Sequence, residues 1–190
     1  AAWPTHKPIS VHAEAETVDE LLSLVRKYRK HTHFLHISTR YEIETLTRAK
    51  EEGLPITIGV CPHHLWLTED DIAELGGFGL MKPTLKTKDD QNALWRAVEA
   101  NIVDVIESDH APHTLSEKMS ENPPYGVPGL ETTIPLLLTA VHEKRLTTDQ
   151  VIDFVSTNPR RIFGFPAPEK TYAIFDLSTS YVIDRQNIHS

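Results

Sequence analysis

The chain has 190 residues, of which 19 are lysine or arginine and 27 are aspartate or glutamate, so its formal charge is −8. This length suits one domain, or one domain and part of another. The acidic balance gives no support for nucleic-acid binding, which favours a basic surface. No apolar run approaches the roughly 20 residues that span a bilayer. We therefore expect neither a nucleic-acid partner nor a membrane partner.

The numbers of cysteines and histidines indicate the cellular location of the protein and its potential to form functional sites. A single cysteine, Cys61, excludes a disulfide framework within the chain. The first ten residues contain tryptophan, histidine and two prolines in place of the apolar stretch of a signal peptide. Both features predict a reducing, cytoplasmic location. The eleven histidines are an unusual number, and several stand where functional sites are built.

Short apolar strands alternate with amphipathic helices along most of the chain. The predicted strands are 9–12, 33–37, 56–60 and 103–106. The predicted helices begin near residues 17, 39, 68, 89, 131, 148 and 158. Thr17-x-x-Glu20 and Thr39-x-x-Glu42 have the form of capping boxes that open the first two helices. Four strand–helix units in succession predict a parallel sheet or barrel of the α/β class.

The pattern changes from residue 166 onward. Residues 172–175 and 181–183 are predicted as strands of a different, smaller β unit. The sequence therefore predicts a main domain over 1–165 and part of a small β domain over 166–190.

Each predicted strand is followed by residues that bind metal ions or move protons. In chain order they are His12, Glu14, His36, His63, His64, Asp109, His110 and His113. In a (β/α) barrel the active site lies at the carboxyl ends of the strands, so such residues converge. Imidazoles with a carboxylate suit Zn²⁺ or a similar divalent ion. A single histidine at a strand end is more often a hydrogen-bonded structural residue, so spacing alone leaves both interpretations open.

Two further residues are assigned structural roles. His33 has the opposite parity to the apolar Phe34, so it is predicted to face solvent or a helix. Cys61 precedes Pro62 in a loop and is predicted to be a small buried hydrophobic residue rather than a nucleophile.

Six segments together resemble the dihydroorotases, members of the amidohydrolase superfamily. They are Val11-His12-Ala13-Glu14, Leu35-His36-Ile37-Ser38, Cys61-Pro62-His63-His64-Leu65, Ser108-Asp109-His110-Ala111-Pro112-His113-Thr114, Pro128-Gly129-Leu130-Glu131-Thr132 and Asn158-Pro159-Arg160-Arg161-Ile162-Phe163. The likeness is strongest to the class that includes the dihydroorotase domain of the animal multifunctional pyrimidine enzyme. Allantoinases and hydantoinases are more distant, because their loop after the aspartate lacks the Ala-Pro-His run.

The resemblance implies a zinc-dependent amidohydrolase on a (β/α)₈ TIM barrel. Its reaction interconverts N-carbamoyl-L-aspartate and L-dihydroorotate in pyrimidine biosynthesis. A complete barrel needs roughly 250 residues, so this chain is expected to hold strands five to eight with part of the small β domain. The His-x-His pair and the carboxylated lysine of the family come from strands one and four. We therefore expect that the missing N-terminal half of the barrel completes the site.

The resemblance also assigns the metal ligands. His12 and His36 are expected to bind one zinc of a binuclear site. Asp109 is expected to bind the other zinc and to act as general base and acid. Leu35 and Gly59 stand where animal relatives have a cysteine and a glutamate associated with a third metal, so no third metal is expected.

The substrate contacts follow from the same resemblance. His113 and the backbone near Tyr125 and Val127 are expected to hold the substrate. Lys82 stands where relatives have an arginine or asparagine that contacts the substrate carboxylate. A lysine pairs with a carboxylate as a point charge, without bidentate geometry.

Three functions remain open at this point. The first is a dihydroorotase that is inactive as this chain alone. The second is a catalytically inactive dihydroorotase-like scaffold that binds aspartate carbamoyltransferase. The third is a related cyclic-amide hydrolase, such as an allantoinase or hydantoinase. The resemblance further implies that the protein forms a homo-oligomer and that aspartate carbamoyltransferase is a partner.

Overall fold

The computed structural model describes residues 7–166 and 172–184 of the chain. Four parallel strands, β1 to β4, pair in chain order to form one sheet. They are Ile9–Val11, Thr32–Phe34, Ile56–Val60 and Val105–Ile106. At least one helix separates each strand from the next. The predicted α/β class with a parallel sheet is therefore confirmed.

The α-helices of the described residues pack mainly around this sheet. In chain order, α1 to α9 are Glu16–Tyr28, Arg40–Glu51, Pro62–Trp66, Ile72–Leu75, Lys88–Glu99, Leu115–Lys118, Leu130–His142, Thr148–Ile152 and Asn158–Phe163. Two 3₁₀ turns, Glu69–Asp71 and Gly76–Gly79, and a π-helical turn, Asp153–Thr157, extend them. Within these residues no helix has both the length and the hydropathy needed to cross a bilayer.

One of the two predicted capping boxes forms. The Thr39 hydroxyl accepts the Glu42 N–H, and the Glu42 carboxylate accepts the Thr39 N–H, so α2 begins as predicted. The capping box at Thr17 is wrong. Helix α1 begins one residue earlier, at Glu16, and its N-cap is Ala15, whose N–H donates to the Glu42 carboxylate. A residue distant in sequence therefore sets the start of α1.

The second and fourth strands are shorter than predicted, each for a local reason. After β2 the backbone of His36 turns into the left-handed region, with φ at 36°. Before β4, the Asp104 carboxylate accepts the N–H of Ile58 at 2.9 Å. A side chain thus takes the place that a backbone carbonyl would have in the ladder, and β4 begins at Val105.

The chain after residue 166 differs from the prediction. The predicted strands 172–175 and 181–183 are wrong, because residues 172–184 contain no strand and are exposed throughout. A strand needs a partner for its backbone groups, and none of the described residues supplies one here. The boundary between 1–165 and 166–190 remains a prediction.

The hydrophobic core lies between the sheet and helices α1, α2 and α5. Phe34, Ile58 and Val60 point to this side of the sheet and are fully buried. The helices contribute Val18, Leu22, Ile43, Leu46, Leu94 and Val98. The helical and strand periods predicted from the sequence converge on this layer. The strand ends are therefore held by a packed core.

We expect Leu94→Ala to lower the free energy of unfolding by about 2–5 kcal/mol, because it removes buried methyl groups and leaves a cavity. Leu94 has no exposed surface, whereas Leu24 is 52% exposed and serves as the control. Leu24→Ala should change the free energy by less than about 0.5 kcal/mol. Urea unfolding followed by circular dichroism measures both. Equal effects of the two substitutions would contradict this placement of the core.

Candidate functional site

Two histidines that follow neighbouring strands meet at the carboxyl edge of the sheet. His12 comes directly after β1, and His36 comes two residues after β2. The Nδ1 atom of His12 lies 2.8 Å from the Nε2 atom of His36, and the ring centroids are 4.5 Å apart. The structure thus brings the two predicted zinc ligands into direct contact.

Asp109 joins this pair electrostatically. The pKa of His36 is lowered, first by burial and then by the neighbouring His12, while the carboxylates of Asp109 and Glu107 act in the opposite direction. His36 is therefore a neutral imidazole at pH 7. Its Nδ1 atom is buried and has no hydrogen-bond partner among the described residues.

The backbone at this edge is strained at two of the three predicted ligands. His36 has a φ of 36° and Asp109 a φ of 43°. Residues other than glycine adopt this left-handed region uncommonly. Strain of this kind costs roughly 1–3 kcal/mol and clusters at functional sites, where the surrounding structure holds it in place. The strained positions therefore mark the same edge as the histidine pair.

The donor set of this edge fits a divalent metal ion. Nitrogen atoms of two imidazoles face each other at 2.8 Å, and a carboxylate lies near enough to act on one of them. Neutral imidazole and carboxylate are ligands that Zn²⁺ prefers. Among the described residues at this edge, His12, His36 and Asp109 could contribute ligands to such an ion.

A buried carboxylate ties together the segments that follow β1 and β2. Glu42 is 1% exposed. One of its oxygens accepts the N–H of Ala15 at 2.9 Å, and the other accepts the N–H groups of Ser38 and Thr39 at 3.1 and 3.0 Å. Ala15 lies three residues after His12, and Ser38 two residues after His36. Glu42 therefore holds both histidine-bearing segments at a fixed separation.

Glu42→Gln should lower the free energy of unfolding by about 1–3 kcal/mol, because an amide NH₂ then faces backbone donors that lose a charged acceptor. Glu44→Gln, on the exposed face of α2, is the matched control, with an expected change below about 1 kcal/mol. Chemical unfolding of both variants measures the difference. A Glu42→Gln variant as stable as the control would show that the carboxylate does not hold the two segments.

A row of hydrogen-bonded polar side chains lies on the face of the sheet opposite the core. His33 is fully buried; its Nδ1 lies 2.8 Å from the Thr57 hydroxyl and its Nε2 lies 2.7 Å from the Glu107 carboxylate. Of the two predicted orientations of His33, the one towards solvent is therefore wrong, and the one towards a helix is confirmed, because its ring lies 5.2 Å from that of Phe163 in α9. Gly59 makes room for this arrangement, because a Cβ atom there would lie 1.4 Å from the Glu107 carboxylate.

Cys61, His63 and His64 form a second group of buried donors at the start of α3. One possible ligand atom from each lies within 4.8 Å of the others. Burial, the largest cause, lowers the pKa of His63 to about 3 and that of His64 to about 4. Burial also raises the pKa of the Cys61 thiol, which agrees with its predicted role as a small buried residue. His64 Nε2 donates to the Pro83 carbonyl at 3.0 Å.

Acid should destabilise the fold through His64. Its pKa is about 4 in the folded chain against an ordinary value of 6.5, so the unfolded chain takes up the proton first as the pH falls. The loss of folding free energy due to His64 is absent above pH 7 and grows as the pH falls from 6.5 to 4. It reaches about 2 kcal/mol at pH 5.

Urea unfolding of wild type and His64→Gln at pH 7 and pH 5 tests this expectation. Glutamine keeps an N–H donor for the Pro83 carbonyl but does not titrate, so the variant should lose less stability on acidification. His142→Gln, at an exposed position, is the control and should follow the wild type. An acid sensitivity unchanged in His64→Gln would contradict the assignment.

The four predicted substrate-binding residues gather beside a loop that follows β4. The Lys82 ammonium lies 4.6 Å from the centre of the Tyr125 ring. His113 Nε2 donates to the Tyr125 carbonyl at 3.0 Å. The Val127 carbonyl accepts the N–H of Ala111 at 3.1 Å. The loop therefore folds back onto the segment that follows Asp109. Its contacts bring together the side chains or backbone of Lys82, His113, Tyr125 and Val127.

A cavity of about 490 Å³ lies at the other end of the sheet. It is lined by His31, Thr57, Asp104 and Arg161 together with apolar neighbours. His31, Thr57 and Asp104 stand at the amino ends of their strands and Arg161 lies in α9, so the cavity is separate from the histidine pair.

Three polar residues outside the predicted site support its geometry. They are Glu42, Glu107 and Lys118, and each is held by partners distant in sequence. The sequence offered a signal for Glu42 alone, as part of a capping box, and that signal did not disclose its second bond to Ala15. Glu107 directly precedes the Ser108–Thr114 segment and Lys118 follows it, so neither belongs to one of the six segments.

Curated relatives match the chain over nearly its whole length. It is 45% identical over 182 residues to the multifunctional protein CAD of Squalus acanthias and 41% identical over 189 residues to the multifunctional protein pyr1-3 of Dictyostelium discoideum. These matches cover 95% and 99% of the chain and 8% of each relative. A dihydroorotase of Lactobacillus delbrueckii is 34% identical over 194 residues, 96% of this chain and 46% of its own length. The chain thus spans about half of the bacterial relative.

Solved structures share the fold. An L-hydantoinase (dihydropyrimidinase) from Arthrobacter aurescens superposes with a TM-score of 0.75 and 26% identity, over 80% of this chain and 35% of its own. The inactive dihydroorotase-like domain of a CAD-like multifunctional protein from Chaetomium thermophilum gives 0.72 and 31%, over 87% of this chain and 46% of its own. No protein-family profile matches the chain.

Proposed function

Because this chain is homologous to dihydroorotases over nearly its whole length, we propose that it supplies part of the active site of a dihydroorotase. The reaction is the reversible cyclisation of N-carbamoyl-L-aspartate to L-dihydroorotate. The observation that carries the proposal is the contact between His12 and His36 at the carboxyl edge of a parallel sheet, where the Asp109 carboxylate also acts on the pKa of His36. A scaffold without catalysis would not need these three residues together.

The metal of this proposal is zinc. His12 and His36 would hold one ion and Asp109 the other, and the remaining ligands would come from the N-terminal half of the (β/α)₈ barrel. Bound zinc lowers the pKa of water towards 7 and polarises a carbonyl, which is what attack on an unreactive cyclic amide requires. The neutral state of His36, which burial favours, leaves the lone pair of one ring nitrogen for ligation.

The residues of this chain have separate tasks in ring opening. As a C–O bond forms to the amide carbon and the C–N bond breaks, the Asp109 carboxylate takes the proton of the attacking water and passes it to the leaving ring nitrogen. The Lys82 ammonium pairs with the substrate carboxylate as a point charge. His113 and the backbone of Tyr125 and Val127 hold the ring in place.

The sheet edges favour completion by further strands. In the described residues β1 and β4 each have only one neighbouring strand. We propose that strands one to four of the barrel pair with these two edges, which would otherwise expose unpaired backbone groups. This chain then represents strands five to eight of a cytoplasmic protein. A second copy of the chain and aspartate carbamoyltransferase are the proposed protein partners.

Turnover by the full-length protein tests the function. Protein loaded with Zn²⁺ should hydrolyse L-dihydroorotate, and removal of zinc with a chelator should abolish the activity until zinc is restored. Asp109→Asn should lower kcat by about 100-fold or more while the protein stays folded, because the proton carrier is lost. His142→Gln, at an exposed position, is the control and should leave kcat unchanged.

The competing functions give different results in the same assay. Faster hydrolysis of allantoin or hydantoin than of dihydroorotate would replace the proposal with a related cyclic-amide hydrolase. Folded, zinc-loaded protein that hydrolyses none of these substrates, yet binds aspartate carbamoyltransferase, would identify a scaffold.

A further inference from the structure

Lys118 is a buried lysine whose charge is met entirely by backbone oxygens among the contacts described. It ends helix α6 and is 5% exposed. Its ammonium donates to the carbonyl oxygens of Leu80, Pro124 and Gly126 at 3.0, 2.9 and 2.9 Å. All three donor hydrogens are thus used. Burial lowers the pKa of Lys118.

The three acceptors belong to two separate segments. Leu80 lies two residues before Lys82, and Pro124 and Gly126 flank Tyr125 on either side. The Leu80 carbonyl also accepts the N–H of Gly126 at 2.9 Å. One ammonium therefore joins the segment that presents Lys82 to the loop that presents Tyr125.

Two glycines show how closely these segments are packed. A Cβ atom at Gly77 would lie 2.1 Å from the Lys118 carbonyl oxygen. A Cβ atom at Gly126, where φ is 131°, would lie 2.5 Å from the Ala111 carbonyl oxygen and 3.2 Å from His113 Nε2. The backbones can approach this closely only without side chains at these positions. Lys118 thus stands at the centre of a tightly packed junction.

We propose that Lys118 is a positioning residue that sets the geometry of the substrate-carboxylate contacts. It fixes Lys82 relative to Tyr125, and it holds the Tyr125 carbonyl where His113 donates to it. Lys118 itself does not touch the substrate. The proposal rests on the function proposed above, and it adds a residue that the motif comparison left without a role.

Hydrogen exchange tests the junction without reference to activity. Lys118→Met keeps the length of the side chain but removes the three donors. In the full-length protein, exchange at the Gly126 amide should speed up by at least about tenfold, while exchange at Leu94 in the core should stay the same. Lys30→Met, at an exposed lysine, is the matched control. Unchanged protection at Gly126 would overturn the proposal.

Kinetics separate positioning from a structural role. Lys118→Met should raise KM for dihydroorotate about tenfold and change kcat by less than about threefold, because binding of the carboxylate is lost in ground state and transition state alike. Dihydrouracil, which lacks this carboxylate, should show a smaller change. A lower kcat with KM unchanged would mean that less protein is folded, and would overturn the proposal.

A second variant and a second readout cover the cases in which Lys118→Met does not fold or the wild-type protein is inactive. If Lys118→Met does not fold, Lys118→Arg keeps the charge but places its donors in a planar fork, and the same rise in KM is expected. An unchanged KM in Lys118→Arg then overturns the proposal. If the wild-type protein turns over no dihydroorotate, the proposed function fails, and hydrogen exchange alone decides whether Lys118 holds the loop.

Discussion

Backbone pairing between the parallel strands is the constraint on which the rest of the structure depends. Ile9 stands beside Thr32, and Thr32 beside Ile56, so the first three strands begin at the same level of the sheet, and β1 and β2 also end together. This register brings His12 and His36 into contact. A shift by one residue would exchange the two faces of a strand and move its core side chains out of the apolar layer. The geometry of the site is therefore a property of the sheet.

The order of strands and helices was predictable because hydrophobic periodicity is a local signal. Features set by distant partners were not. Ala15 caps α1 because Glu42, 27 residues away, binds its N–H. His33 can be buried because the carboxylate of Glu107, 74 residues away, accepts a hydrogen bond from its Nε2. Thr17 had the better local pattern for a cap, and a tertiary contact overrode it.

In the site, too, some features follow from the local sequence and others depend on residues distant in sequence. Residues such as His12 and Asp109 stand at strand ends, where position in the sequence indicates position in the barrel. Lys118 acts through carbonyl oxygens, which every residue possesses, so no residue pattern in the sequence identifies its partners. Motifs therefore indicate the groups proposed to act on the substrate, and the structure is needed to find the groups that hold them.

The fit of Glu107 against Gly59 also limits how this sequence can change over evolutionary time. A side chain at position 59 collides with the Glu107 carboxylate, and a shorter residue at 107 leaves His33 Nε2 without that acceptor. Neither position can therefore vary alone without a penalty. A side chain at position 59 would require the Glu107 carboxylate to move away from His33, so a change at one position alters the contacts of the other. Across homologues we expect the two positions to covary.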